Sequence, residues 1–317
     1  MFDSFHSTSC RLGHLPSAEG RLKISISISI LTGFIWLFTC CMPLNHFLIH
    51  PQDVPPAVIT WTEEIRRGNL LLHLEGARPE NGGLFPGVLV HPEAGKKAHH
   101  MRGVIWDLAK HGFLAVAVDY QRMIEGKYQN TLFPWREEDD VALAFELLRA
   151  RTDVDPERIG ALGFSQGGVF SLLIASYAGK DIKSVVAYYP ITDFTYWLDE
   201  THYDDKLQKY ICRRIRSYFY MQSGAANEEE FVTMLRRASP MFQIDTLVSP
   251  VLLIHGSADT TAPMEESKRL YTRLRGLGRK VELLVVPDAA HVFNFKNKEQ
   301  AAFAWEATLS WLDKGLK

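Results

Sequence analysis

Ser165 lies at the centre of Gly163-Phe164-Ser165-Gln166-Gly167-Gly168, between an apolar run, Arg158 to Leu162, and a helix-like run, Val169 to Ala178. A serine at such a junction can be a nucleophile. Glycines two before and two after it leave room for a sharp strand-to-helix turn that holds the hydroxyl above a sheet. The N–H of Gln166 then points from a helix N-terminus toward negative charge forming beside Ser165. A glycine-rich turn carrying an exposed serine has the same pattern, and glycine makes up roughly 7% of ordinary chains. The motif therefore gains weight only from partners elsewhere in the sequence.

Two later segments supply them, in order. After the apolar run Pro250-Val251-Leu252-Leu253-Ile254 comes His255-Gly256-Ser257-Ala258-Asp259-Thr260-Thr261-Ala262-Pro263, which puts a carboxylate in a tight loop at the end of a buried strand. Lys280 to Pro287 reads as a further strand, followed by the loop Asp288-Ala289-Ala290-His291-Val292-Phe293. A serine hydroxyl is a poor nucleophile at neutral pH and needs an imidazole to take its proton, and a buried carboxylate fixes that imidazole's tautomer. Ser165, His291 and Asp259 fit these roles, in the chain order Ser, Asp, His of an α/β-hydrolase. Taken singly, Asp259 could cap the helix that starts near Pro263, and His291 could be an ordinary loop histidine.

Other residues compete. Asp288 reads as a turn former, Asp193 as a less favoured acid, and His255 as support for the Asp259 turn. His91, Glu93, His99 and His100 suggest a metal site, but no second ligand cluster completes the spacing that zinc needs. Neither a metal nor a cofactor is expected. A site of this kind also needs a second backbone donor for the oxyanion, from the loop after the third strand. Pro86 to Val90 is that strand and His91-Pro92-Glu93-Ala94-Gly95 the loop, so the N–H of Glu93 is expected to pair with that of Gln166; a plain surface turn is the alternative.

From about Val58 to its C-terminus the chain resembles the dienelactone hydrolase and prolyl oligopeptidase-like branch of the α/β-hydrolases. The segments that carry the resemblance are Val88-Leu89-Val90-His91 with its glycine-containing loop, Ala117-Val118-Asp119-Tyr120, Gly163 to Gly168, Ser239-Pro240, Pro250 to Pro263, and Asp288-Ala289-Ala290-His291. The resemblance implies an α/β-hydrolase fold, with a mostly parallel sheet of about eight strands and helices on both faces. It also implies catalysis by Ser165, Asp259 and His291. Two departures bear on substrate. Dienelactone hydrolases proper use a cysteine where this chain has Ser165, and the stretch before Val58 is too short for the propeller of prolyl oligopeptidases. The expected activity is hydrolysis of a small-molecule carboxylic ester. The alternatives are a dienelactone hydrolase-like or small-peptide hydrolase, or a non-catalytic hydrolase-fold binding protein.

The elements that must position these residues can be read from the pattern. Val58–Ile65, Leu70–Leu74 and Leu114–Val118 read as strands, 104–111 as the end of a helix, and 137–151 as a helix with Val141, Leu143, Ala144, Leu147 and Leu148 on one face. Asp155-Pro156-Glu157 marks a turn before the nucleophile strand. Parallel strands separated by helices imply a sheet covered on both faces. Between Pro190 and Pro250 the rhythm breaks into two helical pieces, around 206–219 and 228–237. This stretch is expected to be a small cap, about 193–240, with Trp197, Tyr203, Tyr210, Tyr218, Phe219 and Tyr220 lining or buttressing an acyl or aryl pocket; ordinary packing of the insertion is the alternative.

With 317 residues and 46% hydrophobic content, the chain can bury a large core. The expected division is a leader, 1–56, and one catalytic domain, 57–317. A formal net charge of −2 gives no pull toward nucleic acid. Residues 24–42 carry no charge and follow Arg11, Arg21 and Lys23, the polarity of a signal sequence or signal anchor; the Ile-Ser alternation from Ile24 to Ile30 also fits an amphipathic strand. The expectation is a membrane-associated or exported protein with its catalytic domain on the non-cytoplasmic side, a cytoplasmic protein being the alternative. Cys212 is the one cysteine of the catalytic domain, so no disulfide can form within it.

Overall fold

The computed structural model describes residues 48–124, 127–130 and 138–317. The expected signal or anchor segment, 24–42, lies outside the described residues. Among the described residues no helix is long and apolar enough to cross a membrane.

The strands are β1 (Val58–Arg67), β2 (Leu70–Pro79), β3 (Phe85–His91), β4 (Leu114–Ile124), β5 (Lys127–Asn130), β6 (Val154–Phe164), β7 (Ile182–Tyr188), β8 (Val251–Gly256) and β9 (Val281–Val286). Helices α1 (Arg102–Lys110), α2 (Glu138–Arg149), α3 (Gln166–Ala178), α4 (Phe194–Trp197), α5 (Lys206–Ser223), α6 (Glu228–Arg237), α7 (Glu265–Gly276) and α8 (Lys298–Leu316) are interspersed among them. The sheet runs β1-β2-β4-β3-β6-β7-β8-β9, with β5 paired to β4 off this path. β1 and β2 join it antiparallel, whereas β4, β3, β6, β7, β8 and β9 are mutually parallel. This is the α/β-hydrolase fold.

Burial follows position in the sheet. β3 and β8 are buried along their whole length, as their unbroken apolar runs require when helices cover both faces. β1 is an edge strand and stays largely exposed. Trp61 on β1 lies against its partner Gly76 on β2, where an added Cβ would sit 2.0 Å from the indole. The core joins Leu72, Leu89, Val118, Phe145, Ala161, Leu172, Val185 and Leu253 across the sheet and its helices.

The turn expected at Asp155-Pro156-Glu157 is not a strand boundary. β6 already begins at Val154, and the pairing with β3 jumps from Pro86↔Asp155 to Gly87↔Ile159. Pro156 has no N–H to give to a ladder, and the extra residues leave the pairing as a bulge. Asp155 Oδ1 accepts from the N–H of Glu157, and Asp155 Oδ2 accepts from Arg158. Between β7 and β8 lie α4, α5 and α6, with caps from Asp193, Asp205 and Asn227, whose side chains accept from the first free N–H groups of each helix. The C-terminal helix α8 buries Ala301, Ala304, Trp305, Thr308, Trp311 and Leu312.

Candidate active site

Ser165 joins β6 to α3 with φ 52° and ψ −115°, a conformation that costs an L-residue energy and needs close support. The neighbouring glycines show why. A Cβ on Gly163 would sit 1.9 Å from the carbonyl oxygen of Gly167, and one on Gly167 would sit 2.1 Å from that of His91. Neither site admits a side chain, so the glycine spacing is a steric requirement of the turn. The Ser165 N–H donates to the carbonyl of Tyr188 at 2.9 Å, which ties the turn to the end of β7.

The three residues singled out by type and order meet here. Ser165 Oγ lies 3.0 Å from His291 Nε2, and His291 Nδ1 lies 2.6 Å from Asp259 Oδ2. An ionised carboxylate only accepts, so His291 carries its proton on Nδ1, and Nε2 is left to accept from the serine hydroxyl. All three are buried but for a small exposed edge. Asp259 Oδ1 accepts from the N–H groups of Thr261 and Ala262, each at 2.9 Å. Burial alone would raise the Asp259 pKa. The electrostatic pull of His291 and the bonds from His255 and His291 outweigh it and hold the carboxyl well below the usual range.

The loops carrying Asp259 and His291 are fastened to each other. The N–H of Ser257 donates to the carbonyl of Val286 and that of Ala258 to the carbonyl of Ala289, both at 3.0 Å. The N–H of Asp288 donates to Ser257 Oγ at 2.8 Å, with Asp288 at φ 53°. Gly256 is as confined as Gly167, since a Cβ there would sit 2.1 Å from the carbonyl oxygen of Ala289. Among the described residues, five non-glycine residues have positive φ; Ser165, Tyr189, Asp288 and Val292 are four of them, all beside this site. Strain is thus concentrated where three loops converge.

The second expected donor loop follows β3. Gln166 is the first residue of α3, so its N–H has no acceptor within the helix, and the close approach of Gly167 to the carbonyls of His91 and Pro92 puts the helix start against the loop bearing Glu93. The side chain of Glu93 is buried, and neither carboxyl oxygen has a hydrogen-bond partner. Burial pushes its pKa up to about 7, against the pull of Lys96 and Lys296. Lys296 Nζ also donates to the carbonyl of His291 at 3.2 Å.

The remaining candidates are engaged elsewhere. Asp193 caps α4 and accepts from Arg269 at 2.9 Å. His91 ends β3 fully buried, with Nδ1 3.1 Å from Ser171 Oγ and Nε2 3.0 Å from Tyr120 Oη; burial lowers its pKa to about 3. The rings of His99 and His100 lie 4.0 Å apart, and the described residues include no group of three or more His, Cys, Asp or Glu placed to hold a metal. In the helical insertion, Trp197 Nε1 donates to the carbonyl of Thr261 in the acid loop, and Tyr203 Oη donates to the carbonyl of Trp197, both at 2.8 Å. Tyr220 packs edge-on against Phe231, while Tyr210 points to solvent.

Tyr189 was not singled out by type or spacing. Its ring packs against the His291 imidazole at 4.7 Å, and its hydroxyl donates to Asn294 Oδ1 at 3.0 Å. Its place just after β7 and before Pro190 does not single it out, because a positive φ of 38° leaves no mark on residue type for a tyrosine.

A model of the prolyl oligopeptidase family matches residues 117–317. The uncharacterized peptidase YtmA of Bacillus subtilis is 28% identical over 218 residues, covering 68% of this chain and 80% of that protein. Esterase LipC of Mycobacterium tuberculosis is 26% identical over 230 residues, covering 66% of this chain and 51% of that protein. Among solved structures, an acylaminoacyl peptidase of Pyrococcus horikoshii superposes with a TM-score of 0.63 at 20% identity, covering 82% of this chain and 42% of that one. The last likeness bears on fold alone.

Proposed function

The chain belongs to the prolyl oligopeptidase family, a serine hydrolase on an α/β-hydrolase fold, and from that premise we propose that it hydrolyses carboxylic esters through an acyl-enzyme on Ser165. The observation that carries this reading is the hydrogen-bonded line from Ser165 through His291 to Asp259, at 3.0 and 2.6 Å.

Ser165 Oγ attacks the ester carbonyl carbon. As the new C–O bond forms, the hydroxyl proton passes to His291 Nε2, and Asp259 stabilises the imidazolium through Nδ1–H. The N–H groups of Gln166 and Glu93 receive the oxyanion, an effect worth about 3 kcal/mol for each donor. The tetrahedral intermediate collapses, and the alcohol leaves with the proton from Nε2. Water then gives a proton to His291, attacks the acyl carbon and releases the acid and Ser165.

The insertion between β7 and β8 favours an apolar acyl group. The polar ends of Trp197 and Tyr203 are taken up by internal bonds, which leaves their rings as uncharged surface beside the acid loop. A relative named as an esterase favours the ester reading. The second reading, hydrolysis of small peptides, is favoured by the family itself and by relatives named as peptidases.

A fluorophosphonate probe should label the full chain at Ser165, and Ser165→Ala should abolish the labelling. An unlabelled wild-type protein would leave only a ligand-binding role. With labelling in hand, p-nitrophenyl esters should give a higher kcat/KM than aminoacyl p-nitroanilides; the reverse order replaces the ester reading with the peptidase one.

A further inference from the structure

A second histidine lies behind Asp259. His255 is the penultimate residue of β8, with no exposed surface. Its Nε2 lies 2.7 Å from the carbonyl oxygen of Ala262, and its Nδ1 lies 2.7 Å from Ser267 Oγ. A carbonyl oxygen can only accept, so the hydrogen is on Nε2; in the neutral ring Nδ1 then accepts from the Ser267 hydroxyl. The bonds therefore form a directed series: Ser267 O–H to His255 Nδ1, His255 Nε2–H to the Ala262 carbonyl, and the Ala262 N–H to Asp259 Oδ1. Ala262 is held on both of its backbone polar groups, one bonded to His255 and the other to the candidate catalytic acid. The same Nε2 also lies 3.5 Å from Asp259 Oδ2, the oxygen that accepts from the His291 Nδ1–H.

We propose that His255 is a positioning residue, which fixes the Asp259 carboxylate against His291 through Ala262 and the buried hydrogen-bond series from Ser267. The inference rests on the hydrolase reading of Ser165, Asp259 and His291. An apolar ring of the same size would fill the space, yet it would leave the Ala262 carbonyl and the Ser267 hydroxyl buried without partners. The turn would then be free to shift, and a displacement of about 1 Å in a catalytic group costs on the order of a hundredfold in rate. His255 acts on the chemistry only through Asp259 and touches no reacting atom.

Two substitutions in the full chain separate this role from simple packing. His255→Gln keeps an N–H donor near the position of Nε2, within reach of the Ala262 carbonyl. His255→Asn keeps a polar atom only near the position of Nδ1, facing Ser267. For hydrolysis of a p-nitrophenyl ester, Asn should lower kcat by on the order of 10- to 100-fold with KM nearly unchanged, whereas Gln should stay within about threefold of wild type. The low-field proton NMR signal of the His291 Nδ1–H bonded to Asp259 should persist in the Gln variant and broaden or vanish in the Asn variant. Equal behaviour of the two variants, in rate and in this signal, overturns the proposal. The proton signal needs no turnover, so it tests His255 even if wild type fails to react with the fluorophosphonate probe, a failure that would count against the hydrolase reading alone.

Discussion

Asp259 and Glu93 are both acidic residues in loops that leave strands of the same sheet, and both are buried beside the same site, yet they are held in opposite states. Asp259 receives two backbone N–H groups on one oxygen and an imidazole N–H on the other. Glu93 has no hydrogen-bond partner on either oxygen. Burial raises the pKa of both. His291 and His255 more than reverse this for Asp259, while Lys96 and Lys296 only temper it for Glu93, which is left at about 7. Depth alone therefore does not decide whether a carboxyl is charged; the donors directed at it do. One loop maintains an anion behind the imidazole, and the other carries a carboxyl that gains and loses its proton near neutral pH.

The largest expected effect breaks the charged half of this pair. Asp259→Asn preserves size, but the Oδ2 position can become an N–H, which can bond His291 Nδ1 only if that nitrogen gives up its proton. The imidazole proton then moves to Nε2, where it faces Ser165 and cannot take the serine proton. Ester hydrolysis should fall by on the order of 10⁴-fold in kcat. A fall of less than tenfold would mean that Asp259 does not set the tautomer of His291.

The identity of Asp259 was legible because an acid in a tight loop after an apolar strand has a local signature, and chain order tied it to Ser165 and His291. The state of Glu93 was not legible. Its spacing marks a loop, and the N–H expected to face the oxyanion belongs to the backbone, so nothing local reveals that the side chain turns inward with no donor. The same limit applies at Asp155-Pro156-Glu157, whose composition signals a turn. Only the pairing of β6 with β3 shows that the chain passes through it as a bulge. The apolar runs of β3, β6, β7 and β8 disclosed the parallel sheet, because strands buried on both faces must be apolar throughout. Tyr189 and its positive φ depend on the convergence of three loops, a tertiary event.

Glu93→Gln tests the neutral half. A carboxyl raised in the fold from 4.5 to about 7 holds its proton more tightly when folded than when unfolded. Stability is then greatest below pH 4.5 and declines as the pH rises through 7. The cost at pH 8 is about 3 kcal/mol. The amide cannot ionise, so chemical denaturation should show the variant more stable than wild type by about 2 kcal/mol at pH 8, with little difference at pH 4. A variant that is less stable at pH 8 would show that Glu93 is stabilised as an anion by Lys96 and Lys296, and the contrast with Asp259 would collapse.

Asp107 on α1 lies between the two extremes and gives the smallest effect. Its Oδ2 accepts from Trp305 Nε1 at 2.7 Å and lies 3.4 Å from His50 Nδ1, while Oδ1 lies 3.4 Å from Lys110 Nζ. Burial raises its pKa, and the bonds from His50 and Trp305 outweigh that and leave it lowered. Unlike Asp259, whose side chain is wholly enclosed, Asp107 keeps 11% of its side chain exposed. Water can therefore replace a lost donor. Trp305→Phe keeps the ring against His50, whose centroid is 4.4 Å away, and removes only the indole N–H. The expected loss is about 1 kcal/mol, read as a fall of about 2–4 °C in Tm. A loss exceeding the gain from Glu93→Gln would reverse the ranking, because it would mean that a slightly exposed carboxylate depends on one donor more than a buried one suffers from having none.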